Sequence, residues 1–157
     1  MKVFKDNAGR EWLIEINVDA LKRVKSLLGV NLLDAAGGDL LEKLVSDPVL
    51  LCDVIYALVK PEADNRNVPA EDFGRGMAGD AIEKATEAVL EELVNFFPSG
   101  KRRVLARAMG KLRELEAVVI ETAEKRLQSP ELENRIRAKL KEASGSWPEP
   151  SESTPGR

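Results

Sequence analysis

The chain has 157 residues, 43% of them hydrophobic, 32% charged and only 4% aromatic, with a net charge of −3. That is the size of one ordinary domain, with a core that must be built from Leu, Val, Ile and Ala. There is no histidine and one cysteine, Cys52, which excludes Ser-His-Asp and Cys-His catalysis, an intrachain disulfide and a thiolate metal cage.

The chain opens on a β-hairpin. Two β-prone runs, Lys2 to Lys5 and Glu11 to Ile16, flank the turn Asp6-Asn7-Ala8-Gly9-Arg10, rich in residues that tolerate positive φ. Trp12 falls opposite or near Phe4 and is expected to anchor the ribbon. A two-stranded ribbon is marginal alone and exposes its edges, so the hairpin either packs on its own helices or pairs with another chain. Asn17 or Asp19 can cap a helix from Ala20 to Leu28, and Gly29 ends it. Val30 to Leu33 reads equally well as an extended segment or a helical turn.

Gly37-Gly38 breaks the chain, Asp39 caps a helix through Val45, and Asp47-Pro48 starts an almost wholly apolar helix to Lys60. Pro61 to Val68 is expected to be a polar loop, and Pro69 to Phe73 a short helix. From Asp80, Ile82, Ala85, Val89, Leu93 and Phe97 repeat at helical spacing until Pro98. The longest helix is predicted over Lys101 to Leu127, where Leu105, Ala108, Leu112, Leu115 and Val119 step by threes and fours over about three heptads. Ser129-Pro130 begins a last helix from Glu131 to Lys141. The predicted fold is therefore mainly α, with about six helices and a short N-terminal β-hairpin at 3–16, in one domain over 1–143. The Ser/Pro-rich segment 144–157 is predicted to be a disordered tail.

Charge is segregated along the chain. Residues 61–98 carry nine acids against three bases, whereas 99–113 carry Lys101, Arg102, Arg103, Arg107, Lys111 and Arg113 with no acid. The two blocks flank Pro98-Ser99-Gly100, which predicts a helical hairpin whose oppositely charged faces attract. A nucleic-acid surface would want aromatic residues or a reading motif near the basic block, and neither is present, so no nucleic-acid partner is expected. Met1-Lys2 is not followed by a signal-like apolar run. The longest near-apolar stretch, Val49 to Val59, is interrupted by Asp53 and is too short to span a bilayer, so no membrane partner is expected.

Gly74-Arg75-Gly76-Met77-Ala78-Gly79 spells the G-x-G-x-x-G of dinucleotide-binding turns, but the segment before it is polar and contains Pro69 where a buried strand is required. No acid stands at 97–100, where one would bind a ribose. The six residues read instead as a flexible junction. Asp72-Phe73-Gly74 echoes a kinase triplet in a chain too small for a kinase. Carboxylate pairs such as Glu91-Glu92 read as solvated helix faces, and Cys52 reads as a small buried hydrophobe. No catalytic, cofactor or metal site is expected, and the chain is read as a non-enzyme.

The order of the pieces resembles the tail assembly chaperones of long-tailed bacteriophages and prophages. The resemblance rests on the hairpin Val3 to Ile16, the segment Leu27-Leu28-Gly29-Val30-Asn31-Leu32-Leu33, the segment Glu71-Asp72-Phe73-Gly74, and Val89-Leu90-Glu91-Glu92-Leu93-Val94-Asn95-Phe96-Phe97-Pro98. It covers Val3 to Arg107, and the basic helix from Lys101 and its successor from Pro130 match no family motif position by position. It implies a small helical protein that binds the long tape measure protein, keeps it soluble and helps tail tube subunits polymerise around it. Such a protein acts in the host cytoplasm and is absent from the mature virion; some are also made as a longer frameshifted product. The alternative is a structural subunit retained in the particle, such as a head-tail connector. The expected partner-binding residues are Trp12 and Ile14 on the hairpin and Leu105, Leu112 and Leu115 on the longest helix, with the open hairpin edge available for homo-oligomerisation.

Overall fold

The order of local signals along the chain is reproduced closely. The structure, a computed structural model, describes residues 1–145. Two antiparallel strands, β1 (Lys2–Lys5) and β2 (Glu11–Ile14), precede α1 (Val18–Leu28), a 3-10 helix (Leu32–Gly37), α2 (Asp39–Ser46), α3 (Pro48–Asn65), α4 (Ala70–Arg75), α5 (Asp80–Phe96), α6 (Ser99–Leu127) and α7 (Pro130–Ser144). The fold is mainly α with a short N-terminal β-hairpin. The described residues hold seven α-helices and one 3-10 helix, where the sequence predicts about six helices. The predicted tail lies outside the described residues from 146 onward, while Ser144 still belongs to α7 and Gly145 caps it.

By contacts the chain divides into two units, Met1–Leu112 and the described residues from Arg113 onward. In the first unit the hairpin register pairs Phe4 with Trp12 and Lys2 with Ile14. These four-residue strands alternate, so Phe4, Trp12 and Ile14 share the buried face. β1 packs along α5 and β2 along α3, while α1 lies on α3. The core joins hairpin residues to Leu44, Leu51, Ile55, Phe73 and Leu93 from the surrounding helices.

Local chemistry sets the boundaries. Asn17, not Asp19, caps α1 by accepting from Ala20 N, and Gly29 ends it with φ of 69°, a left-handed conformation that a side chain resists. Val30 to Leu33 resolves into the start of the 3-10 helix, capped by Asn31. Asp39 is the first residue of α2 and not its cap, which is Gly38. Asp47 caps α3 by accepting from both Val49 N and Leu50 N, with Pro48 in the first turn.

The largest departure is at Pro61. The polar loop predicted from there is helical to Asn65, with Pro61 inside α3. Proline has no N–H to give to the carbonyl of Ala57, one turn earlier. Arg23 of α1 supplies the substitute, its guanidinium Nη1 donating to Leu58 O at 3.0 Å and Ala57 O at 3.4 Å. The guanidinium is itself held by Asp19, one turn away on α1. Arg23→Ala is therefore expected to lower the unfolding free energy by about 1.5 kcal/mol, the scale of a hydrogen bond from a charged group. Urea denaturation measures the loss. Pro61→Ala in the same chain restores the missing N–H and should recover part of it; equal losses in both backgrounds would reject this role for Arg23.

Candidate partner-binding surface

The hairpin residues expected to bind a partner are instead the centre of the first unit. Trp12 and Ile14 are both 0% exposed. The Trp12 ring meets Phe73 of α4 edge-on, with centroids 5.3 Å apart, and lies beneath the guanidinium groups of Arg10 and Arg66. Its Nε1–H donates to Asp6 Oδ2 at 2.9 Å. The same carboxylate accepts from Arg10 N and Arg10 Nε, which closes the hairpin turn around a buried acid. Burial alone would push the Asp6 carboxyl up; the hydrogen bonds from Trp12 and from the Arg10 backbone and side chain, with the Arg10 charge, outweigh it and hold the carboxyl below its ordinary value.

The glycine-rich segment 74–79 receives this turn. Asn7 N donates to Gly76 O at 2.9 Å, Asn7 Nδ2 to Ala78 O at 2.9 Å, and Arg10 Nη2 to Asp72 O at 2.8 Å. A Cβ on Gly76 would stand 3.0 Å from Arg10 Nη2 and 3.1 Å from Asp6 Oδ2, so any larger residue there would press the Arg10–Asp6 pair outward by a few tenths of an ångström. A short helix, α4, precedes the segment where a dinucleotide turn needs a strand. The segment is thus a seat for the hairpin turn, more constrained at Gly76 than the flexible junction predicted from the sequence.

The hairpin edge predicted to be open is also occupied on the β2 side. Leu13 N–H donates to Glu62 Oε2 at 3.3 Å, and Arg66 Nη1 donates to Glu11 O at 2.7 Å. Glu62 and Arg66, one turn apart on α3 and paired with each other, cap the backbone groups that another strand would use. The predicted attraction between acidic and basic helix faces is likewise redirected. Glu91 pairs with Lys2 of β1 and Glu92 with the Met1 amine, because β1 lies along α5. From the basic block, Arg102 reaches back to accepting carbonyls at the end of α5, Asn95 O at 2.9 Å and Phe97 O at 3.2 Å. Cys52 is half-buried, and burial followed by the neighbouring Asp53 charge pushes its thiol up, away from the reactive thiolate.

The residues predicted on α6 separate along its length. Leu105 is buried, as is Met109, and both join the core of the first unit; Leu112 packs half-buried against it. Leu115 is 62% exposed. From Arg113 to Gly145 every apolar side chain is exposed except Leu132, which is half-buried. Leu115, Val119, Ala123 and Leu127 follow one another at intervals of four on one face of α6, with Ile120 beside them, and Leu132, Ile136 and Leu140 do the same on α7. Neither helix covers the other, since Leu115, Val119, Ile136 and Leu140 are each more than half exposed. Two helices of this length gain most of their stability by burying an apolar face, so the second unit presents a surface built to be covered.

No family model, curated protein or solved structure matches this chain. Its surface chemistry must therefore be read from the residues themselves. Among the described residues no helix is long and apolar enough to cross a membrane, and no group of three or more His, Cys, Asp or Glu is placed to hold a metal ion. A depression of about 760 Å³ lies between the 3-10 helix and α2, lined by Val30, Leu33, Leu40, Lys43 and Leu50. Its lining also carries one cation, Lys43, and two acids, Asp34 and Asp39, but no nucleophile, and these acids belong to no group placed to hold a metal ion among the described residues. The apolar stripe of the second unit is the stronger site. Of the residues expected from the sequence to bind a partner, Leu115 belongs to it; Leu127, Ile136 and Leu140 join it at four-residue spacing, with Ile120 beside them.

Proposed function

We propose that this protein works by binding and not by catalysis, as a tail assembly chaperone that captures amphipathic helices of the tape measure protein and keeps them soluble in the host cytoplasm. The observation that carries the reading is the uncovered apolar stripe of α6 and α7, Leu115 to Leu140, joined in sequence to a well-packed first unit. An amphipathic client helix would lay its apolar face on that stripe, and the charged residues beside it would limit wrong partners. The family resemblance supplies the choice of client.

Co-expression with the tape measure protein that this reading places in a neighbouring gene tests it. The expected result is a gain in that protein's solubility and co-purification of the two chains. Leu115→Ser with Val119→Ser should abolish both while leaving the urea midpoint of the first unit unchanged. Absence of any gain and of any complex with the unaltered chain would reject the proposal, and abundant copies in purified virions would favour the structural-subunit alternative.

A further inference from the structure

The charge pattern around the exposed stripe is self-complementary. Residues 114–124 of α6 contain Glu114, Glu116, Glu121 and Glu124 and no base, while residues 135–141 of α7 contain Arg135, Arg137, Lys139 and Lys141 and no acid. Each charged run brackets apolar residues at four-residue spacing. Laid antiparallel, the two segments put four acids against four bases over a common apolar seam. Exposed ion pairs already present within each helix, Glu121 with Lys125 and Glu133 with Arg137, compete weakly with such a seam.

A chain does not use its own α7 for this purpose, since the apolar residues of both helices stay exposed. Only Gln128 and Ser129 separate α6 from α7; Ser129 is extended, with ψ of 136°, caps α7 through its hydroxyl, and is followed by Pro130 in the first helical turn. The chain leaves α6 without folding back, and both stripes stay exposed. A short, stiff connection between two complementary elements favours exchange with another copy, and two-fold symmetry then makes the contact twice. We propose that the free protein is a dimer in which α7 of each copy lies antiparallel along residues 115–127 of α6 in the other copy.

The dimer concerns the free chain and covers the same stripe that the client proposed above would occupy, so client capture would require the two copies to part; sedimentation of the chain alone reads dimerisation without any client present. Sedimentation of the full chain over a dilution series tests it. The expected species at micromolar concentration is a dimer that dissociates as salt is raised, since the paired charges are screened. Glu114→Lys with Glu116→Lys should weaken dimerisation at least about tenfold, and so should Lys139→Glu with Lys141→Glu in a second variant. Mixed in equal amounts, the two variants should form a heterodimer, because each then offers the charge that the other's reversed helix requires. Circular dichroism and the urea midpoint of each variant check that the first unit is intact. A monomeric unaltered chain would overturn the proposal, as would reversed variants that still dimerise alone or a mixture that stays monomeric.

Discussion

Asp6→Ala is expected to lower the unfolding free energy by about 3–5 kcal/mol, the range for removing one partner of a buried charge pair. Three donors converge on this carboxylate: Trp12 Nε1, Arg10 N and Arg10 Nε. Its side chain is fully buried while that of Arg10 is 23% exposed, so deletion strands an indole N–H without solvent and leaves a guanidinium short of its counter-charge. The damage spreads, because Arg10 also donates to Asp72 O and the turn it closes docks on Gly76. Urea denaturation of the full chain, followed by helical circular dichroism, measures the loss. A change below about 1 kcal/mol would show that the turn does not depend on the acid.

The same group gives the first unit an acid limit. The Asp6 carboxyl is lowered from its ordinary value of 3.8 in the folded protein, so the unfolded chain takes up its proton first as the pH falls. Its contribution is therefore fully present above 3.8 and is lost as the pH drops through the lower folded value. Asp6→Asn removes the titration while retaining one acceptor oxygen. Its stability should be lower than that of the parent chain at neutral pH and should change less between neutral and acid conditions.

The elements readable from sequence are those set by contacts within one turn. Asn17, Gly29, Asp47-Pro48 and Ser129-Pro130 act on backbone groups a few residues away, so their residue types announce the boundary. Pro61 misleads because the group that makes it tolerable in a helix comes from Arg23 on another helix. The G-x-G-x-x-G spelling is uninformative for a related reason: Gly76 answers the approach of Asp6 and Arg10, which sequence spacing cannot reveal. At the candidate surface, the four-residue rhythm of Leu115, Val119 and Leu127 is legible as an amphipathic face. Whether that face is covered depends on where the chain goes after Ser129, and α7 leaves it open. Trp12 shows the converse, since alternation places it on one face of the hairpin but α3, α4 and α5 together make that face a core.

Trp12→Ala is expected to cost about 3–5 kcal/mol through the cavity it leaves, and Trp12→Phe about 1–2 kcal/mol. The alanine variant removes the edge-on contact with Phe73, the surface beneath Arg10 and Arg66, and the N–H that Asp6 accepts. The phenylalanine variant retains a ring against Phe73 and loses the indole donor together with some volume. The difference between the two variants therefore reports chiefly the packed ring, whereas the loss in Trp12→Phe reports the polar link to the turn. In an Asp6→Asn background the cost of Trp12→Phe should shrink, because the indole then donates to a neutral acceptor. Unchanged urea midpoints in both Trp12 variants would mean that the indole serves a partner and not the core. Full burial requires the opposite: Trp12 acts on binding only by holding the first unit folded, while Leu115→Ser acts on the exposed stripe and leaves that unit's stability unaltered.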